Sequence, residues 1–158
     1  MKRLLIALAV GLAGCGFHPV YAPGGNAAGF RSGYITVEPI KGRSGYMLRR
    51  ALQEELSVGL PNISSSATLN VVLDENLTRL AFKPDGAASR SSLVASGRYV
   101  LATSSGVISG NVQAETNFAV PDAPYGDISA QTSASDRTMR DLASRIVADL
   151  RLKLSAAE

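Results

Sequence analysis

The sequence predicts an α+β fold in the order β-α-β-β-β-α, with an approximately four-stranded mixed sheet and two helices packed on one of its faces. Three observations predict it. Two segments place apolar residues at three- and four-residue spacing, three long segments alternate apolar with polar residues, and Gly, Pro, Ser and Asp cluster between them.

Tyr34 to Ile40 read as the first strand, with Tyr34, Thr36 and Glu38 alternating against Ile35 and Val37 up to the closing Pro39. Lys41 to Gly45 form a turn, and Ser44 is the expected N-cap of a helix running to about Val58. Leu48, Leu52 and Leu56, with Met47 and Ala51, make its apolar stripe, and Gly59 and Pro61 end it. Three strands follow over about Thr68–Phe82, Ser89–Thr103 and Val107–Val120. In the first, Leu69, Val71 and Leu73 share a face. In the second, Ala95, Gly97, Tyr99 and Leu101 do. In the third, Ile108, Val112, Ala114 and Phe118 do. Pro84-Asp85-Gly86 suits a turn, because proline presets φ and glycine tolerates positive φ. Ser104-Ser105-Gly106 suits a tight hairpin connection. These strands exceed the usual length of about 5–6 residues, so a long antiparallel meander is expected.

Val120 to Asp127 hold two prolines and a glycine and read as a loop. Ser133 with Asp136 resembles a capping box, so the last helix is expected from there to about Leu154. Met139, Leu142, Ala143, Ile146, Val147, Leu150 and Leu154 form the strongest apolar stripe in the chain. Mixed charges fill its other side, which favours packing on the sheet over lying on a membrane surface. The sheet face away from both helices should be rich in small and polar side chains.

The N-terminus has a different character. Lys2 and Arg3 precede a short apolar run from Leu4 to Val10, and then Leu12-Ala13-Gly14-Cys15. That is the layout of a secretion signal with small residues before the cut. The run is too short to span a bilayer, which takes about 20 residues. The order Leu-Ala-Gly-Cys resembles the lipobox of bacterial lipoproteins. It implies residues 1–14 as signal peptide, cleavage before Cys15, and N-acyl and S-diacylglycerol groups on Cys15. Residues 15–33 read as a lipidated tether, rich in glycine, and residues 34–158 as a single domain.

Composition narrows the function classes. Without Lys2 and Arg3, the 16 basic residues become 14 against 13 acidic, a net of +1. No basic run or aromatic–basic alternation suggests nucleic-acid binding. Only 18% of residues are charged, so many exposed positions must be small or weakly polar. That suits a surface covered by another protein, although a GC-rich genome would also favour Ala and Gly. Cys15 is the sole cysteine, so no disulfide is expected. His18 is the sole histidine, and no Cys or His pair has ligand spacing, so no metal and no cofactor is expected beyond the covalent lipid. Glu54 and Glu55 diverge on a helix, and Asp74 and Glu75 face opposite ways on a strand. Neither pair converges for acid–base work, there is no nucleophile elbow, and no enzyme is expected.

Cys15-Gly16-Phe17-His18-Pro19-Val20-Tyr21 resembles the start of mature LPS-assembly lipoproteins, the LptE family, especially its alphaproteobacterial members. The β-α-β-β-β-α order, long hairpins and C-terminal amphipathic helix are similar to that family. The resemblance implies a lipid-anchored outer-membrane protein facing the periplasm. It would plug the lumen of a large LPS-transport β-barrel, assist the barrel's assembly, and help place lipopolysaccharide in the outer leaflet. Gly16 is not the Asp that retains many lipoproteins in the inner membrane. Basic residues of the family meet lipid A phosphates, and Lys83, with Arg90 as its neighbour across the turn, matches one such position. The family's second basic position finds no counterpart, since Ala119 to Asp136 contain no Lys or Arg. Two alternatives stand beside this reading: an accessory of an ABC-type lipid transporter, and a free-standing envelope lipoprotein that binds a ligand.

Overall fold

The computed structural model describes residues 34–156. The elements are β1 (Ile35–Val37), α1 (Gly42–Glu55) with a 3₁₀ turn at Leu56–Val58, β2 (Ala67–Phe82), β3 (Ala88–Thr103), β4 (Gly106–Ala119) and α2 (Pro124–Ser155). One mixed sheet has the order β1-β2-β3-β4. β1 pairs parallel with β2 through α1, and β2, β3 and β4 form an antiparallel meander. Both helices cover one face, as the two apolar stripes require.

The core sits between the helices and the half of the sheet where the N-terminal part of β2 lies beside the C-terminal part of β3. Leu48 and Leu52 of α1, Leu69 of β2, Leu101 of β3, and Leu142, Ile146 and Leu150 of α2 are fully buried. A smaller cluster of Leu93, Phe118 and Ala134 lies farther along the sheet, with Val120 and Ala130 against it. The expected inward-facing residues of all three long strands are the buried or half-buried ones.

Three expectations about element ends are corrected. β1 has three residues rather than seven, because after Glu38 the chain leaves β2 and turns into α1. Ser44 is not the N-cap of α1. Lys41 occupies that position without a side-chain bond, and Ser44 Oγ meets Ser135 Oγ of α2 at 3.3 Å. α2 starts at Pro124, not at a capping box over Ser133 and Asp136. Proline suits the first helical position, where its missing N–H has no partner to lose. Asp136 instead pairs with Arg140 one turn on.

The early start has a structural consequence. A 32-residue helix is about 48 Å long, close to the roughly 53 Å of a 16-residue strand. α2 therefore runs the length of the hairpins instead of leaving their tips bare. The β2–β3 turn closes with Gly86 at φ +82, Gly86 N–H donating to Lys83 O at 2.9 Å, and Ala87 N–H donating to Asp85 Oδ1 at 3.0 Å.

Gly110 of β4 marks a close approach. A Cβ there would lie 2.5 Å from the Tyr99 hydroxyl oxygen and 2.6 Å from Tyr99 Cζ. Tyr99 is 1% exposed and cannot step aside. Gly110→Ala is expected to destabilise the protein by about 1–3 kcal/mol, the usual cost of overpacking. Urea unfolding measures this, and a change within 0.3 kcal/mol, about the noise of such comparisons, would show that the ring has room to shift.

Candidate functional site

Lys83 and Arg90 flank the β2–β3 turn, as their sequence positions require, but the structure gives them different surroundings. Lys83 follows the end of β2 and is ion-paired with Asp122, just before α2. Arg90 lies on β3, is exposed, and forms no ion pair among the described residues. Its neighbour Ser91 is fully buried toward α2, so strand alternation places Arg90 on the open sheet face. The two cations share no partner.

Arg79, which sequence reasoning missed, completes the cluster. Its Nη1 donates to Ser91 Oγ at 3.1 Å, and its Nη2 stands 3.7 Å from Asp127 of α2. A cleft of about 630 Å³ opens here between the turn and the start of α2. Arg79 and Lys83 line this cleft with Asp85, Asp122 and Asp127, while Arg90 lies on the other side of the sheet; three cations and three carboxylates leave the tip as a whole close to neutral. The acidic partners are visible in the sequence. The placement of Asp122 and Asp127 was not, because the segment carrying them read as a loop leading to a later helix rather than to one that starts at Pro124.

At the far end of α2, Tyr99, Asp149 and Lys153 tie helix to sheet. Tyr99 donates its hydroxyl to Asp149 Oδ2 at 2.5 Å. Lys153 Nζ donates to Asp149 Oδ2 at 2.9 Å, to Tyr99 Oη at 3.0 Å and to Ser109 O at 2.8 Å. Burial pushes the Tyr99 hydroxyl above its ordinary range, and the bond to Asp149 adds to that. The hydrogen bond from Tyr99 holds the Asp149 carboxyl below the usual carboxylate range, with Lys153 adding to it. Bonds to Tyr99 and then Asp149 raise Lys153. These partners are explained by packing and imply no chemistry.

A pH dependence follows from Asp149. A carboxylate with a depressed folded value stabilises the fold above its unfolded value, about 3.9, and loses that contribution as pH falls through the folded value. Lys153, raised, acts in the opposite direction and loses its contribution only in strong alkali. The stability advantage of wild type over Asp149→Asn is expected to be constant near neutrality and to shrink below about pH 4. Urea midpoints across the acid range check this, and an advantage unchanged at the acid end would remove Asp149 from the account.

The sheet face opposite the helices is broad and weakly charged. β2 presents Thr68, Asn70, Val72, Asp74 and Asn76 there, β3 presents Ser96, Arg98 and Val100, and β4 presents Ser109, Asn111, Gln113, Glu115 and Asn117. With Arg90 near the β2–β3 turn, four charges stand among many amides and hydroxyls. Among the described residues, no group of three or more His, Cys, Asp or Glu side chains could hold a metal ion, and no helix is long and apolar enough to cross a membrane.

Solved structures share this arrangement. The chain shares its fold with bacterial lipoproteins. A lipoprotein from Caulobacter crescentus superposes with a TM-score of 0.62 at 24% identity, covering 77% of this chain and 90% of its own. The rare lipoprotein B from Shewanella oneidensis gives 0.61 at 11% identity, covering 78% and 96%. A minor lipoprotein from Acinetobacter baumannii gives 0.55 at 14% identity, covering 76% and 93%. No protein-family model matches the chain, and no curated protein does. The fold is thus one that lipoproteins of several bacterial genera use. Cys15 and the tether lie outside the described residues.

Proposed function

We propose that this chain is an outer-membrane lipoprotein, anchored through lipid on Cys15 and facing the periplasm, that occupies the lumen of a large LPS-transport β-barrel and aids lipopolysaccharide insertion into the outer leaflet. The observation that carries the reading is the weakly charged, amide- and hydroxyl-rich open sheet face on a fold that lipoproteins share. The interior of a large outer-membrane barrel is polar. A rigid body with such a face can fill it by shape without burying many unpaired charges. The N-terminal heptapeptide that resembles LPS-assembly lipoproteins supports the choice of barrel. Co-purification of the tagged protein with a large outer-membrane barrel tests it. Recovery of inner-membrane transporter components instead would favour the accessory reading.

Lipopolysaccharide contact at the tip is the finer part of the proposal. Asp122 already holds Lys83, so Arg90 is the cation more available to a phosphate. Charge-assisted bonds contribute about 1.5–3 kcal/mol each. Lys83→Asp with Arg90→Asp is therefore expected to weaken lipopolysaccharide binding about tenfold or more while barrel association persists. Lipid binding by the purified protein is measured beside barrel pull-down. Unchanged lipid binding rejects the tip as the site, and loss of both activities rejects their separation.

A further inference from the structure

The free edge of β2 is built differently from the rest of the surface. β1 covers β2 only from Ala67 to Leu69. The last backbone bond from that side is Glu38 N–H donating to Leu69 O at 2.9 Å. Ala67 N–H likewise faces β1, donating to Tyr34 O at 3.0 Å. Odd-numbered residues of β2 therefore aim their backbone groups at this edge, and even-numbered ones at β3. Beyond Leu69, the N–H and C=O groups of Val71, Leu73, Glu75 and Leu77 point outward without a backbone partner among the described residues. The first irregularity in the β2–β3 register comes only after Arg79, so a regular run of the edge remains open.

Proteins usually blunt such an edge with short strands, charges or proline, because it templates pairing with another chain. This one is long and carries exposed apolar side chains: Val72 is 54% and Leu77 40% exposed. The opposite edge, β4, exposes only Val107 among its large apolar residues, beside the turn. Two hollows also line the β2 edge. One, of about 310 Å³, lies between Val71–Leu73 and the Pro39-Ile40-Lys41 segment. The other, of about 190 Å³, lies on the helix side, lined by Glu75, Leu77, Leu93 and Phe118 of the sheet and by Ser44, Gln131 and Ser135 of the helices.

We infer that the β2 edge is a strand-addition site for an extended segment of another protein, with apolar side chains at alternate positions and a Lys or Arg among them. Unpaired main-chain groups supply bonds to any sequence, and pockets for alternate side chains select one. Leu73 and Leu77 are four residues apart, about 13 Å along a strand, so side chains of one added strand reach both hollows. Asp74 and Glu75 lie between these two positions and select the basic residue. The inference stands on the edge alone, independently of the lipid anchor and of the barrel.

The probe is a capped peptide, Lys-Thr-Ile-Thr-Val-Lys-Leu-Thr-Lys, added to the full-length protein in detergent micelles. Fluorescence anisotropy reads binding, and amide hydrogen exchange reads its place. The expected result is binding, with exchange at Leu73, Glu75 and Leu77 slowed at least tenfold and β4 unchanged. Glu75→Pro removes an outward donor while leaving the β3 ladder intact, since proline is tolerated where an edge N–H faces solvent. It should weaken binding at least tenfold, whereas Glu75→Gln, which removes only an exposed charge, should cost a few-fold. Methylating alternate amide nitrogens of the peptide must abolish binding with the protein unaltered, which keeps the test decisive if the proline variant fails to fold. Absence of binding, or protection at β4, overturns the inference. So does slow exchange at these amides without peptide: if it grows with protein concentration a second copy fills the edge, and if it does not, another part of the same chain does.

Discussion

Leu142→Ala is expected to lower the unfolding free energy by about 2–5 kcal/mol, and Ile146→Ala by a similar amount. Both side chains are fully buried, one turn apart on the face of α2 that meets the sheet. They sit over Gly97 of β3, where an added Cβ would come 3.2 Å from Ile146 Cδ1 and 3.4 Å from Leu142 Cδ2. Helix and strand are close there, so the cavity left by truncation cannot collapse easily. A domain of this size is stable by about 5–15 kcal/mol in all. One such change removes a large share, and the double variant approaches global unfolding. Chemical denaturation of the purified protein measures it. A loss below about 0.5 kcal/mol for both single variants, the level of an ordinary surface substitution, would mean that α2 does not hold the fold through this stripe.

Cys15→Ala is expected to abolish lipid attachment altogether and to leave residues 1–14 uncleaved by the lipoprotein peptidase. The motivation is the Leu12-Ala13-Gly14-Cys15 run. The thiol is the only group in the chain that can take a diacylglycerol thioether, so no neighbouring residue can compensate. One acyl chain binds a bilayer only marginally, at about 0.8 kcal/mol per buried CH₂, whereas several chains on one residue hold permanently. The variant should therefore lose both fatty-acid labelling and stable partition into the membrane fraction. Normal incorporation of labelled fatty acid into the alanine protein would sink the assignment.

The long strands were legible because each alternates over many residues. Ala95, Gly97, Tyr99 and Leu101 of β3, read as one face, are all buried. The second half of α2 was legible because its stripe recurs without interruption from Met139 to Leu154. Its first half was not. Tyr125 and Ile128 are apolar yet exposed, and the small Ala130 and Ala134 are the residues that meet Leu93 and Phe118. Hydrophobic periodicity therefore points away from the true packing face there. Ser44 misled in a comparable way. Its hydroxyl suits a cap, but it faces Ser135, which lies 91 residues away in sequence. The ion pair between Lys83 and Asp122 was hidden for the same reason. Both residues were in view, but only a helix beginning at Pro124 brings them together.

By itself, then, the sequence determined the order of elements, the face each long strand turns inward, and the residues of both helix stripes. These follow from local periodicity, which each segment carries whatever its neighbours do. Only the tertiary structure decided where α2 begins, which carboxylates neutralise the hairpin tip, how Tyr99, Asp149 and Lys153 lock helix to sheet, and how little of β2 the three residues of β1 cover. Each of these depends on contacts between segments far apart in the chain. An ion pair, a close approach at Gly110 or an uncovered strand edge has no periodic signature, because it exists only once two distant segments meet.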